Sequence, residues 1–297
     1  MGDVIAVTGA SGNVGRQVAS RLLSSGRNVR AIARGKEKLA DLAARGAELR
    51  IGSLGDRSFL AEALRGASAV FAMVPPQYAA ADPLAEQRAI AESLVGAIRD
   101  AGVEHVVALS SVGAELPEGT GPIATLHHLE GLLDGLAGSS RVYVRAAYFM
   151  ENHLGSIGLI KAAGIIASSI KGDAPISMVA TRDISSAAAD RLAAVGPPGR
   201  LVQYVLGPRD YSMAEATRIL GAAVGRPDLK YVEAPEEDAR KGLVGAGFSP
   251  GTADLFLQMN RGLGSGRIKG EPRSTSNTTP TTLEEFARTV FAPAFGG

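Results

Sequence analysis

The stretch Val-Ile-Ala-Val-Thr-Gly-Ala-Ser-Gly-Asn-Val-Gly at 4–15 constrains this chain more than any other. Its four leading apolar residues make a short strand with no polar face, as a strand buried in a sheet requires. Three glycines follow at intervals of three, Gly9, Gly12 and Gly15. Val14, Val18 and Leu22 then recur every four residues, which is one face of a helix. Strand, glycine turn and helix form the first half of a dinucleotide-binding unit. Gly9 permits a tight turn, Gly12 leaves the backbone open to a pyrophosphate, and Gly15 lets the helix sit close on the sheet. The free N–H groups and positive dipole end of that helix then favour phosphate.

A chain of 297 residues, 45% of them hydrophobic, accommodates one large α/β domain or a nucleotide domain with a smaller companion. The 31 basic and 30 acidic residues leave a net charge of +1, which gives no reason to expect nucleic acid or an anionic membrane as partner. The expected partner is a small-molecule substrate, and the expected state is monomer or homodimer. The absence of cysteine excludes disulfides, thiolate catalysis and zinc–thiolate sites, and fits a cytoplasmic protein. The first strand begins at Val4, which leaves no room for a signal peptide ahead of it. No apolar run approaches the roughly 20 residues of a membrane helix. His105, His127, His128 and His153 lack metal-ligand spacing, so no metal is expected.

The first helix is expected over 14–25, ending at Gly26, a good C-cap residue. A strand at 28–33 follows. NAD-specific folds carry an acid roughly 20 residues past the glycines. Here Arg34 stands after the second strand, followed by Lys36 and Lys38. A guanidinium matches a 2′-phosphate bidentately and stacks on adenine, so NADP(H) is expected in preference to NAD(H). Lys36 and Lys38 read as a solvated helix start. Further strands are expected at 47–51, 69–74, 103–110 and 142–146, with helices at 57–64, 84–101 and 124–136 between them. This alternation predicts a Rossmann-type, doubly wound parallel sheet with its crevice at the carboxyl ends of the strands. Beyond 150 the pattern is less regular. Ser-Met-Ala-Glu at 212–215 and Thr-Leu-Glu-Glu at 282–285 are capping boxes that open helices. Met259 and the cluster at 255–257 read as core packing, with cover of a pocket as the alternative.

Several stretches converge on one family. Val-Thr-Gly-Ala-Ser-Gly-Asn-Val-Gly-Arg at 7–16, Val-Ala-Leu-Ser-Ser-Val at 107–112 and Arg-Ala-Ala-Tyr-Phe-Met-Glu-Asn at 145–152 resemble the NmrA-like family of atypical short-chain dehydrogenase/reductases. So do Ala-Thr-Arg-Asp-Ile at 180–184 and Thr-Thr-Leu-Glu-Glu-Phe-Ala-Arg at 281–288. The resemblance spans essentially the whole chain. It implies a Rossmann unit at 1–152, with later elements around 182–225 returning to it. A smaller substrate-side lobe then comprises 153–181 and 226–297. It also implies activities from NADPH-dependent quinone, azo and aromatic ether reduction to redox sensing with little catalysis.

Carried over residue by residue, the resemblance assigns Gly9, Ala10, Ser11, Gly12, Asn13 and Val14 to the phosphate loop. Arg34 takes the 2′-phosphate, and Met73, Val74 and Pro75 lie near the adenosine ribose. Ser110 and Ser111 lie near the nicotinamide, and Tyr148, Phe149, Met150 and Asn152 belong to a segment wrapped around its side. Three departures stand out. Ser53 replaces an aspartate common in relatives, and Ala146 stands where they have Pro or Asn. The third departure is catalytic. The family's wider relatives use Tyr-x-x-x-Lys, in which Lys lowers the Tyr pKa for proton transfer. The matching positions here are Pro122 and Leu126. Tyr148, Ser111 and His127 remain as candidate catalytic side chains, and His127 and Glu130 read as partly exposed helix residues. The expected function is NADPH-dependent hydride transfer to a small, apolar, electrophilic acceptor of quinone or azo type. The alternatives are an NADP(H)-sensing regulator and a biosynthetic reductase of an enone, imine or aromatic ether.

Overall fold

Seven short strands, the central ones apolar on both faces, lie side by side in one parallel sheet. The computed structural model describes residues 3–297. The strands are β1 Val4–Thr8, β2 Asn28–Ala33, β3 Glu48–Ile51, β4 Ala67–Ala72, β5 His105–Ser111, β6 Ser140–Ala146 and β10 Gly199–Val205. Their order is β10-β6-β5-β4-β1-β2-β3, and every pairing is parallel. The chain starts in the middle of the sheet and winds outward both ways from β1, so loops from the two halves diverge between β1 and β4. A ligand crevice forms at such a switch point, beyond the carboxyl ends of the strands.

Helices cover both faces. On one side α1 Asn13–Ser24 packs on α7 Thr181–Ala193, and α2 Ala40–Ala44 lies beside them. On the other, α3 Arg57–Leu64 packs on α4 Pro83–Ala101, and α4 on α5 Ala124–Asp134. β1 shows the consequence: Ile5 and Val7 enter the core under α1, and Ala6 enters the core under α3 and α4. A strand covered on both faces has no polar face to alternate with.

The remainder forms a lobe with two small sheets. One joins β7 Tyr148–Phe149, β9 Ile176–Val179 and β11 Asp210–Tyr211. The other pairs β8 Ile165–Ser168 with β12 Lys230–Glu233. Around them lie α6 Ile157–Ala163, α8 Met213–Ala223, α9 Glu236–Gly245, α10 Pro250–Gly264, α11 Leu283–Phe286 and α12 Ala292–Gly296. The part of 182–225 that joins the large sheet is α7 and β10, whereas β11 and α8 pack within the lobe, α8 on β12 and α11. The chain leaves the sheet at Gly207, where an added Cβ would lie 1.7 Å from the Met178 carbonyl oxygen. Only glycine lets the two backbones pass so closely.

Both capping boxes are half-formed. Ser212 Oγ accepts from the Glu215 amide and Thr282 Oγ1 from the Glu285 amide, each at 3.1 Å. The return bond of the box is replaced by ion pairs, Glu215 with Arg209 and Glu285 with Arg182. The motif at 180–184 therefore meets the motif at 281–288, and the Thr281 amide donates to Asp183 Oδ2 at 3.1 Å. Among the described residues no helix is long and apolar enough to cross a membrane.

Candidate active site

A cavity of about 1230 Å³ runs along the carboxyl ends of the strands. A pocket for one molecule of drug size measures about 300–1,000 Å³, and this space is larger.

One end is made by the glycine turn. Gly9 has φ +63°, a left-handed conformation that a side chain disfavours, and a Cβ there would meet Met73 Sδ at 2.6 Å. The Gly12 amide donates to the Gly9 carbonyl at 2.9 Å, closing the turn. At Gly15 a Cβ would stand 2.4 Å from the Gly9 carbonyl oxygen, so the close approach is helix to turn. No side chain caps α1, and its first residues line the cavity. Their free N–H groups suit an anion. Thr8 explains why a hydroxyl precedes the glycines. It donates to the Phe71 carbonyl at 2.8 Å and accepts from the Met73 amide at 3.1 Å, binding the end of β1 to that of β4. Exposed Arg34 and Lys38 stand in the wall beyond β2, with Ser53 beside them.

The other end lies beyond β5, β6 and β10 and is mostly apolar. Leu126 of α5 and Leu255, Phe256 and Met259 of α10 line it, with Leu263 and Ile268. Helix α10 is locked down at Gly121, whose φ is +62° and whose Cβ position falls 2.0 Å from the Leu255 carbonyl oxygen. The Gly121 amide donates to Gln258 Oε1 at 2.9 Å. Tyr78, Phe248 and Phe256 form an aromatic group with centroids 4.8 to 6.1 Å apart, and the Ser249 amide donates to the Tyr78 carbonyl at 2.8 Å. The segment after α10 completes the wall with Lys269, Glu271 and Arg273. Asn277 holds it, donating to Glu271 Oε1 at 2.9 Å and to the Pro272 carbonyl at 3.0 Å.

Behind β5 lies a buried ionic cluster. Glu130 and Arg145 are 4% and 5% exposed, and their side chains meet twice: Nη2 donates to Oε2 at 2.7 Å and Nε to Oε1 at 3.0 Å. Ser110 Oγ donates to Glu130 Oε1 at 2.6 Å, and Arg200 Nη2 donates to Oε2 at 3.0 Å. Arg145 Nη1 reaches Glu115 and Tyr204, each at 3.0 Å. Burial pushes the Glu130 carboxyl up, but Arg145, Ser110 and Arg200 together outweigh it and hold the group below its ordinary value.

Of the residues assigned from sequence, Gly9, Ser11, Gly12, Asn13, Val14, Arg34, Met73, Val74, Pro75, Ser110, Ser111, Tyr148, Phe149 and Asn152 all line the cavity. Ala10 and Met150 do not; both are fully buried in the core behind the wall. His127 is turned away too, its Nδ1 donating to the Ala114 carbonyl at 2.8 Å. Glu130, expected to be partly exposed, is buried by its two arginines. Leu255, Phe256 and Met259 cover the cavity, while Leu257 of the same helix is buried in packing. Burial pushes the Tyr148 hydroxyl up to about 12, with Asn152 pulling the other way. Its ring lies 5.9 Å from that of His153, which burial lowers to about 4. The ionic cluster had one sequence signal, an arginine inside the apolar strand at 142–146, which demands a buried carboxylate partner. The wall at 268–273 had none.

Comparison with known proteins agrees with this geometry. A family model described as NAD(P)H-binding matches residues 9–148. A (4-alkanoyl-5-oxo-2,5-dihydrofuran-3-yl)methyl phosphate reductase of Streptomyces griseus is 35% identical over 255 residues, 86% of this chain and 85% of that protein. An NAD(P)H azoreductase of Xenophilus azovorans is 28% identical over 99% of both chains. The fold matches that of an NADPH-dependent quinone oxidoreductase of Escherichia coli complexed with NADPH, with TM-score 0.81 at 24% identity over 97% of this chain and 99% of that one. Glycine turn, sheet order and relatives agree, and the chain belongs to the family of NAD(P)H-binding reductases that includes the Streptomyces griseus protein.

Proposed function

We propose that the protein is an NADPH-dependent reductase of a small, planar, fairly apolar acceptor whose reduced form is a stabilised anion, a quinone or azo compound above all. The observation that carries this reading is the division of one cavity into two unlike ends. The first has uncapped backbone amides and free cations, suited to a pyrophosphate and a 2′-phosphate. The second is aliphatic and aromatic. On this reading Gly9 to Val14 hold the pyrophosphate, Arg34 takes the 2′-phosphate and favours NADPH over NADH, and Met73 to Pro75 border the adenosine ribose. Ser110, Ser111, Tyr148, Phe149 and Asn152 border the nicotinamide. The unit 1–152 with α7 and β10 serves the cofactor, and the lobe serves the acceptor.

NADPH bound there supplies a hydride. The chain's own contribution is orientation and exclusion of water: Leu126, Phe256 and Met259 flatten and dry the space for the acceptor. Pro122 and Leu126, at the positions of the missing Tyr–Lys dyad, both line the cavity and neither can ionise. An acceptor that leaves as a stabilised anion takes its proton from water, so this loss is tolerable.

A second reading has its own support. The Streptomyces griseus relative is named for a substrate whose ring double bond is conjugated to two carbonyl groups. Hydride addition to such an alkene also leaves a stabilised anion, so a doubly activated enone satisfies the same site. The deciding experiment is NADPH oxidation against a panel of quinones, azo dyes, activated enones and unactivated ketones. Turnover on the first three classes and none on simple ketones is expected. Tight NADPH binding with no turnover on any of them would make the protein a nucleotide-sensing regulator.

A further inference from the structure

Ser110 lines the cavity from the middle of the sheet, and the one proton of its hydroxyl is already committed. It goes to Glu130 Oε1 at 2.6 Å, and that carboxylate is held in place by three bonds from Arg145 and Arg200, at 2.7 to 3.0 Å. Glu130 and Arg145 are both buried, so neither can swing away to release Ser110 without leaving a charge unpaired. Among the described residues no group donates to Ser110 Oγ. A serine oxygen has two lone pairs, so this residue of the cavity wall, only 2% exposed, keeps an unfilled acceptor. Such an acceptor calls for a donor on whatever fills the space. The quinone and azo groups themselves carry none. The nicotinamide carboxamide carries an NH₂.

We propose that Glu130 and Arg145 are positioning residues that fix Ser110 as an obligate hydrogen-bond acceptor, and that Ser110 Oγ receives the carboxamide N–H of the nicotinamide and so sets the ring's orientation. The inference rests on the cofactor reading above and deepens it. Two consequences follow. Ser110 is not a proton donor to the reduced acceptor, because its proton is held by an ionised carboxylate. And affinity at this point depends on the carboxamide NH₂, not on the nicotinamide ring as such.

The test is direct binding, read by fluorescence or calorimetry without any acceptor. Three ligands are titrated into the wild type, Ser110→Ala and Ser110→Thr: NADPH, its 3-acetylpyridine analogue, and 2′-phosphoadenosine diphosphoribose. The second replaces the NH₂ by a methyl group, and the third lacks the ring. Ser110→Ala is expected to weaken NADPH by about three- to tenfold, the worth of one neutral hydrogen bond, and to leave the other two within twofold. Ser110→Thr, which keeps the hydroxyl, is expected to restore most of the difference. Equal weakening of all three ligands by Ser110→Ala would mean a structural role only and would overturn the inference, as would no change in any of them. Failure of all three to bind the wild type would overturn the cofactor reading itself and the inference with it.

Discussion

The two ends of the cavity are built by different means. The end beyond β1 and β2 is made largely of backbone, from the glycine turn and the short stretches that follow β2, β3 and β4. Its shape depends on glycines that leave room and on a helix start without a side-chain cap, and its charge on the exposed Arg34 and Lys38. The end beyond β5, β6 and β10 is made of side chains drawn from several separated segments, among them α5, α10 and 268–273. It is held by contacts that span the chain: Gly121 against Leu255, Tyr78 against Phe248, Arg145 against Glu130. The first end is therefore robust to most side-chain changes and intolerant of a few. The second depends on many weak contacts plus one buried ion cluster.

The cluster gives the largest expected effect. Arg145→Met removes one partner of a buried pair and leaves Glu130 under-compensated, for a loss of about 3–5 kcal/mol in denaturant unfolding at pH 7. The pH dependence has a definite sign. In the wild type Glu130 is depressed, so its stabilisation is present above the unfolded carboxyl value of about 4.3 and is lost as pH falls through the lower folded value. In the variant the buried carboxyl loses its main counter-charge and its burial raises it. Protonation then relieves the strain, and the deficit should narrow between pH 7 and pH 4. A deficit that stays constant with pH would mean that the Arg145→Met variant fails by packing alone.

Next in size is Gly121→Ala. The added methyl would fall 2.0 Å from the Leu255 carbonyl oxygen, at a backbone φ of +62°. Overpacking and the left-handed conformation together are expected to cost about 2–4 kcal/mol. Because the strain lies between the 121–123 turn and α10, it should raise the acceptor KM while the Kd for NADPH stays within about threefold. If NADPH binding suffers as much as the acceptor does, the two ends are not separable.

This contrast also explains what the sequence made legible. The glycine turn, β2 to Ala33 and α3 at Arg57–Leu64 depend on local pattern, and they match the expected positions within a residue. Gly12, Arg34 and Met73 reach the wall because strand order alone brings them there. The acceptor end is non-local. Nothing in Leu255, Phe256 and Met259 distinguishes a helix face that lines a cavity from one that fills a core, and only Gly121 fixes which it is. Ala10 and Met150 were assigned as members of matched stretches, and their own side chains are buried in the core behind the wall. Glu130 looked exposed because its partners, Arg145 and Arg200, lie 15 and 70 residues away.

At the backbone end, Arg34→Ala removes the one charge to which cofactor choice is ascribed. It should weaken NADPH by about 1–3 kcal/mol and NADH by much less, since only NADPH carries the 2′-phosphate. Parallel titrations of both cofactors against both proteins measure it. Equal losses would shift the preference to Lys38 or abolish it, and would make this end less dependent on a single side chain than the comparison holds.

The smallest effect is expected where a mechanism of the dyad type would place the largest. Tyr148 lines the cavity, and a tyrosine there invites the role of proton donor. Its hydroxyl is pushed up to about 12 by burial, so it stays protonated throughout the working range and is a poor acid at neutral pH. A dyad tyrosine is instead lowered by a neighbouring lysine, and on the proposed reading Leu126 stands in that lysine's place. General acid catalysis contributes about 10²- to 10⁴-fold where it operates. Tyr148→Phe should therefore lower kcat with a quinone by less than about tenfold, and His127→Ala, whose ring is bound to the Ala114 carbonyl outside the cavity wall, by less still. The pH profile of kcat should show no break between pH 6 and pH 9 that either variant removes. His153, lowered to about 4 by burial, is neutral across the same range and adds no break of its own. A loss of a hundredfold or more in Tyr148→Phe, with NADPH affinity intact, would show that the acceptor end does supply a proton, and that its side chains do more than hold an apolar surface in place.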